Sequence, residues 1–406
     1  MTETTNQKYK GRKLRRYETW YAPQDVMLAM KENKGLGEVS RDLGALQFRQ
    51  KFKFGHEDEL NPQAGDISGK VKYNPAMAQT ALNGKFLDSM VLKTMIKQGE
   101  INTVNFTTNN VMLKPVYRVL TTMNQVEGKK DTYYFHLWTG KKDGGKPDSL
   151  FSKKIYVCTN PKDPSIDNKT TYSIEKFIHH KMSEDEAYTY NHSSKEGQEF
   201  VGDSAIAGDP VILLGMHVST RETKRWTWQS FYWTENPDAP VFPSSSVMAA
   251  GRNKLNKKLE SPADHYAVTI GYSMMSPALP YDGGPIDIAA KGVTPVYALN
   301  PYIEGTFTEK EVFPNQLSDY YKNWGAEGNY KKQFYIGNND GITSNCMSCH
   351  SQAYYNNQML DAAVGGFLAD QYVNRDAPWF KGSVQLDFAW SLFPGFEPPP
   401  SKVDQP

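Results

Sequence analysis

The sequence predicts an α+β protein, with a β-rich antiparallel central region followed by a helical C-terminal segment. Three observations predict it. Apolar residues recur at helical spacing over 76–98. Alternating, β-branched and aromatic runs separated by turn residues occupy 101–234. Helical patterning then returns beyond residue 315, after a stretch rich in Pro and Gly. The 406 residues divide on this basis into a polar and helical N-terminal region (1–100), a β-rich region (101–300), a helical region (301–392) and a Pro-rich tail (393–406).

Residues 1–70 are basic and polar, with weak periodicity. Arg12-Lys13-Leu14-Arg15-Arg16 reads as a solvated surface cluster. From Ala76 to Gln98, Met77, Leu82, Phe86, Met90, Leu92, Met95 and Ile96 fall near helical spacing. They predict one amphipathic helix closed by Gly99. Val111–Val119, Thr132–Trp138 and Lys154–Cys158 alternate and are rich in branched and aromatic residues, which predicts strands. Turn-rich linkers such as Lys141–Pro147 separate them. Ser173–Met182 reads as a short helix. Val211–Thr220 and Arg225–Thr234 predict a hairpin joined by Arg221-Glu222-Thr223-Lys224. Strand alternation would put Trp226, Trp228 and Tyr232 on one face and Phe231 and Trp233 on the other. Residues 235–300 are loop-rich. Helices are expected at Asn315–Trp324, Cys346–Tyr355 and Gln358–Tyr372, and Phe393–Pro400 is extended.

Composition excludes some function classes. Hydrophobic residues make up 39% and charged residues 22%, enough apolar content for a packed core. The net charge of +1 argues against a nucleic-acid partner. No stretch approaches the apolar length of a membrane-spanning helix; the longest strong run is Pro210–Met216.

Residues 346–350 read Cys346-Met347-Ser348-Cys349-His350. Cys-x-x-Cys-His is the attachment pattern of c-type haem. Two intervening residues let one helical turn carry both sulfurs to one edge of a porphyrin, with the imidazole reaching the iron. The pattern predicts one haem c, covalently held by Cys346 and Cys349, with His350 as an axial iron ligand. The frame is specific here, because the chain has only 3 cysteines and 8 histidines. Two other readings of the Cys pair stay open. A zinc site needs about four ligands, and no second Cys-x-x-Cys is present. A dithiol redox motif wants a strand–helix setting, whereas an Asn338-Asn339-Asp340-Gly341 turn precedes this one. The third cysteine, Cys158, reads as a buried strand residue.

On residues 346–350 the chain resembles the c-type cytochromes. The motif lies near the C-terminus rather than near the start of a small helical domain. The chain is therefore similar to the large, secreted, single-haem members of that family. The resemblance implies single-electron transfer, with a redox protein or a small molecule as electron donor or acceptor. It implies a periplasmic or extracellular location. The polar start, Met1–Gln7, is not a signal peptide, so the expectation is a chain numbered after processing. The size of the β-rich region motivates a second expectation, a peroxidase- or oxygenase-like haem enzyme with an open distal pocket.

The group opposite His350 separates these two expectations. A Met or His there gives a six-coordinate electron carrier, and an open position permits chemistry on small molecules. Met359 follows on the His350 side, about 13 Å along a continuing helix, so a protein ligand is expected from upstream. His217 interrupts an apolar strand beside a Trp-rich partner. Met274-Met275-Ser276-Pro277 resembles the ligand loops of small cytochromes. His217 and Met275, with Met274, are the leading candidates. Met216, His265, His136, His179 and His180 complete the set. Lys114 and Arg118 are candidates for the haem propionates.

Overall fold

The computed structural model describes residues 2–41, 43–44, 51–52, 67–137, 153–192, 204–222, 226–239, 251–252, 254, 259, 261–271, 300, 302–303, 350–351, 353–356 and 380–392. These residues form an α+β architecture of short helices and largely antiparallel sheets. In chain order, β1 (Thr4–Tyr9) and β2 (Arg12–Arg15) precede α1 (Pro23–Glu32). β3 (Lys51–Phe52), β4 (Ile67–Gly69) and β5 (Lys72–Tyr73) lead to α2 (Pro75–Asn83) and α3 (Ser89–Met95). β6 (Ile101–Thr103), β7 (Val111–Val119), β8 (Thr132–Leu137), β9 (Lys153–Cys158), β10 (Thr171–Ser173) and β11 (His179–Lys181) follow. α4 (Glu184–His192), β12 (Pro210–Thr220), β13 (Thr227–Trp233) and β14 (Tyr266–Gly271) come next. β15 (Tyr354–Tyr355) and β16 (Ser383–Gln385) close the series. Among the described residues, no helix is long and apolar enough to cross a membrane.

The main sheet runs β14-β13-β12-β7-β4-β3, with β11 also on β12 and β5 also on β7. The expected β12–β13 hairpin is present and antiparallel, from Gly215↔Tyr232 to Thr220↔Thr227. β7 spans the expected residues although Pro115 lies inside it. The reason is local. Its β5 partners end at Leu113 and its β4 partners begin at Val116, so Pro115 sits in the gap between two neighbours. On its other side β7 pairs continuously with β12 from Thr220 to Gly215. β8 and β9, both expected as strands, pair antiparallel, and the free thiol of Cys158 is buried at the end of β9.

Several expectations need correction. The single helix over 76–98 is two. Gly84 ends α2, Lys85 turns through φ 51°, and Asp88 restarts the chain by accepting from Met90 N–H at 2.8 Å. Apolar spacing alone could not show this, because both helices bury residues in the same core. Ser173–Met182 is a β10 end, a single 3₁₀ turn and β11, not a helix. The helix expected at Cys346–Tyr355 does not reach its end. His350 and Ser351 are helical, but Tyr354 and Tyr355 pair with Gln385 and Val384. The helices expected at Asn315–Trp324 and Gln358–Tyr372 lie outside the described residues.

The basic cluster at 12–16 is not simply a solvated patch. It lies in a hairpin: Leu14 is fully buried, and Arg12 donates to Glu18 at 2.8 and 3.0 Å. Arg12 also lies 3.6 Å from buried Glu186, which sits 3.4 Å from His180 Nε2. Beside them Tyr117 donates to Tyr17 across 2.9 Å. Buried charge needs buried counter-charge, so this cluster ties the N-terminal hairpin to β11 and α4.

Among the described residues, two large apolar cores take in side chains of the main sheet. One gathers residues of β7, β8, β9, α4 and β12. The other gathers Val26 and Ala29 of α1, Met77 of α2, Leu92 of α3, Met112, Trp226 and Trp228, with Ala353, Tyr355, Val384, Leu386 and Phe388 of the C-terminal segment. Strand alternation alone does not divide the aromatics of the hairpin. Trp226 and Trp228 join the second core, whereas Tyr232 and Trp233 join the first. β16 runs parallel to β6 and antiparallel to β15, which brings the chain that follows His350 against this second core.

Candidate functional site

His350 is held by backbone and by side chain. Ala353 N–H donates to the His350 carbonyl at 3.1 Å, and Leu386 N–H donates to Ala353 O at 2.8 Å. The His350 Nδ1 lies 2.8 Å from the Phe388 carbonyl oxygen. A carbonyl can only accept, so Nδ1 carries the proton and Nε2 presents its lone pair. Burial pushes the His350 pKa down to about 3; the Phe388 carbonyl opposes this, and electrostatic interaction with the nearby His217 and Lys114 adds to it. The ring is a neutral, hydrogen-bonded imidazole with its Nε2 available, the form in which histidine binds a metal.

Aromatic rings pack around it. Trp228 lies 4.4 Å and Phe388 4.9 Å from the His350 ring, centroid to centroid. Trp226 stacks on Phe388 at 5.5 Å and 8°. The same Trp228 ring meets His217 at 4.8 Å. The sequence candidate His217 is therefore packed on the same indole as His350.

Sheet register places further polar groups on this face. Lys114, His217, Ser230 and Thr269 are successive cross-strand partners on β7, β12, β13 and β14. Direct partners share a face, so they form one row. Met112, Ser219, Trp228 and Gly271 form the next row. His217 Nδ1 lies 3.0 Å from Ser230 Oγ, which also accepts from Asn300 Nδ2 at 3.0 Å. Asn300 donates as well to Phe231 O at 3.1 Å. It approaches this closely because residue 215 is Gly; a Cβ there would meet Asn300 Nδ2 at 2.6 Å. Two donors on this face, Trp228 Nε1 and Thr269 Oγ1, are buried without a hydrogen-bond partner among the described residues. Buried donors without acceptors cost free energy, and a polar ligand would repay it.

The other sequence candidates lie elsewhere. Met216 joins the first core. His179 Nδ1 donates to Phe177 O, and His180 belongs to the Glu186 cluster. His136 packs on Tyr134, and His265 lies beside Asp264. Arg118 is buried further along β7, opposite Ile212. Cys346, Cys349, Met274 and Met275 lie outside the described residues. Among the described residues, no group of three or more His, Cys, Asp or Glu side chains could hold a metal ion.

Sequence reading missed Phe388, Asp387, Arg221, Asn300 and Thr269. The hydrogen bond from His350 goes to a backbone carbonyl, for which no side-chain signal exists. No family model, curated protein or solved structure matches the chain.

The residues fit a c-type haem on three counts. His350, next to the Cys pair, has the tautomer an axial ligand needs. Its imidazole is neutral at physiological pH. The two unpartnered donors and Lys114 suit anionic carboxylates such as the two propionates.

Proposed function

We propose that this chain is a monohaem c-type cytochrome that carries single electrons. Cys346 and Cys349 would hold the haem through thioethers, and His350 would bind the iron through Nε2. The observation that carries this reading is the 2.8 Å hydrogen bond from His350 Nδ1 to Phe388 O, immediately after the Cys-x-x-Cys run. It orients the ring and raises its basicity as a ligand. When bound, the haem iron would supply a ferrous–ferric couple. Residues 301–392 form the haem-binding segment in this reading. His217 or Met275 would supply a second ligand to the iron, with Met274 a further candidate for holding the haem. Covalent haem attachment belongs outside the cytoplasmic membrane, so the location is periplasmic or extracellular. The partner is a redox protein or a small-molecule donor or acceptor.

The test is intact-protein mass together with the reduced pyridine–haem spectrum of protein made in a host that matures cytochromes c. The expected result is one added haem that survives denaturation and is lost in Cys346→Ala/Cys349→Ala. Mature protein with two free thiols and no haem overturns the reading.

The buried His217–Ser230–Asn300 chain favours a second reading, a haem enzyme of peroxidase or oxygenase type. There His217 would hold or move a proton at Nε2 rather than bind iron. Cyanide and carbon monoxide separate the two. Fast binding at a vacant position supports the enzyme, and an unresponsive six-coordinate iron supports the carrier.

A further inference from the structure

The segment that receives the His350 hydrogen bond is strained and clamped. Asp387 and Phe388 adopt φ values of 43° and 78°, two consecutive left-handed residues without a glycine. For a bulky aromatic this conformation is unfavourable, and it persists only where the surroundings over-determine it. Asp387, almost fully buried, supplies that determination. Its carboxylate accepts from Arg221 Nη1 at 2.6 and 2.5 Å, from Phe106 N–H at 2.9 Å and from Trp226 Nε1 at 3.4 Å. Trp226 in turn stacks on the Phe388 ring. Arg221 is fixed at the end of β12, where its N–H donates to Asn110 O at 2.8 Å. The clamp thus runs from the main sheet, through Asp387, to the carbonyl that His350 uses.

We propose that Arg221 and Asp387 are positioning residues for the axial imidazole. They hold the left-handed turn so that the Phe388 carbonyl stays on His350 Nδ1, and in doing so they set the reduction potential of the iron. This rests on the haem reading above. A strong hydrogen bond at Nδ1 makes the imidazole more basic and favours ferric iron. Releasing the turn weakens the bond and raises the potential.

The test compares the holoprotein with Asp387→Asn, Arg221→Ala and Arg221→Lys. Two quantities are read: the midpoint potential, and the solvent exchange of the His350 Nδ1 proton by NMR. Arg221→Ala decides. Loss of a positive charge by itself lowers the potential, whereas release of the turn raises it. The expected result is an upward shift in both Asp387→Asn and Arg221→Ala. Proton exchange should be about tenfold faster, as one weakened hydrogen bond requires. Arg221→Lys, which keeps the charge, should return both readouts toward the parent. A lower potential in Arg221→Ala with unchanged exchange overturns the proposal. Should no haem be attached, the haem reading fails by itself. Nitrogen-15 NMR of His350 then still judges the clamp, and a retained, slowly exchanging Nδ1 proton in Asp387→Asn overturns it.

Discussion

At the residue scale, one short motif carries most of the proposed function. Its spacing was legible because Cys and His are rare in this chain. If the proposed haem is present, His350→Ala is expected to leave it attached through Cys346 and Cys349 while the iron loses a strong-field ligand. The absorption spectrum should move to a high-spin form with unchanged protein mass. An unaltered spectrum would remove His350 from the iron. His217 was also legible, as an ionisable residue interrupting an apolar strand, and it packs on the indole that meets His350. Gly215 makes a different kind of prediction. Gly215→Ala places a methyl group 2.6 Å from Asn300 Nδ2 and 2.9 Å from Phe231 O. Backbone cannot retreat as a flexible side chain can. A loss of about 1 to 3 kcal/mol in urea unfolding is expected, as for other overpacked sites. A stability equal to the parent would show that Asn300 is not held there.

At the element scale, strands were read better than helices. β7, β9 and β12 carry alternating branched residues, and their bounds lie close to the expected ones. The helix boundaries depended on caps instead. Asn74 is the clearest case: its Oδ1 accepts from Met77 N–H at 2.9 Å, capping α2, and from Val111 N–H at 3.1 Å, joining α2 to β7. Asn74→Ala should cost about 1 to 2 kcal/mol, at the upper end for a helix cap, because it also orphans a strand donor. Chemical denaturation measures this, and a cost near zero would mean that water replaces both bonds. The N-terminal hairpin went unread because its β1 residues are mostly exposed and carry no apolar alternation. Its stability comes from ion pairs that apolar alternation does not show: Arg12 with Glu18 six residues on, and with Glu186 far away in sequence.

At the scale of the whole molecule, that buried charge cluster should shape the response to acid. Burial alone would raise the Glu186 pKa, but the His180 imidazole, the Ser183 N–H and the Arg12 guanidinium outweigh it and hold the carboxyl below its ordinary value. A folded-state pKa below the unfolded one stabilises the protein above the unfolded value. That stabilisation is lost as pH falls through the folded one. Urea midpoints should therefore decline below about pH 4.3, the ordinary Glu value. Glu186→Gln should start lower at neutral pH and decline less steeply. Parallel pH profiles for parent and variant would show that Glu186 does not contribute to acid sensitivity.

The sequence by itself determined the α+β character and the central strands, and it pointed to the Cys-x-x-Cys-His chemistry proposed above. Each of these is written in local pattern: strand period, turn residues, and the spacing of two thiols and an imidazole. Only the tertiary structure decided what surrounds His350. The Phe388 carbonyl, the Arg221–Asp387 clamp and the row from Lys114 to Thr269 join residues that are distant along the chain. Backbone acceptors and cross-strand neighbours leave no mark on a linear pattern, because register and long-range packing, rather than residue type, put them in place.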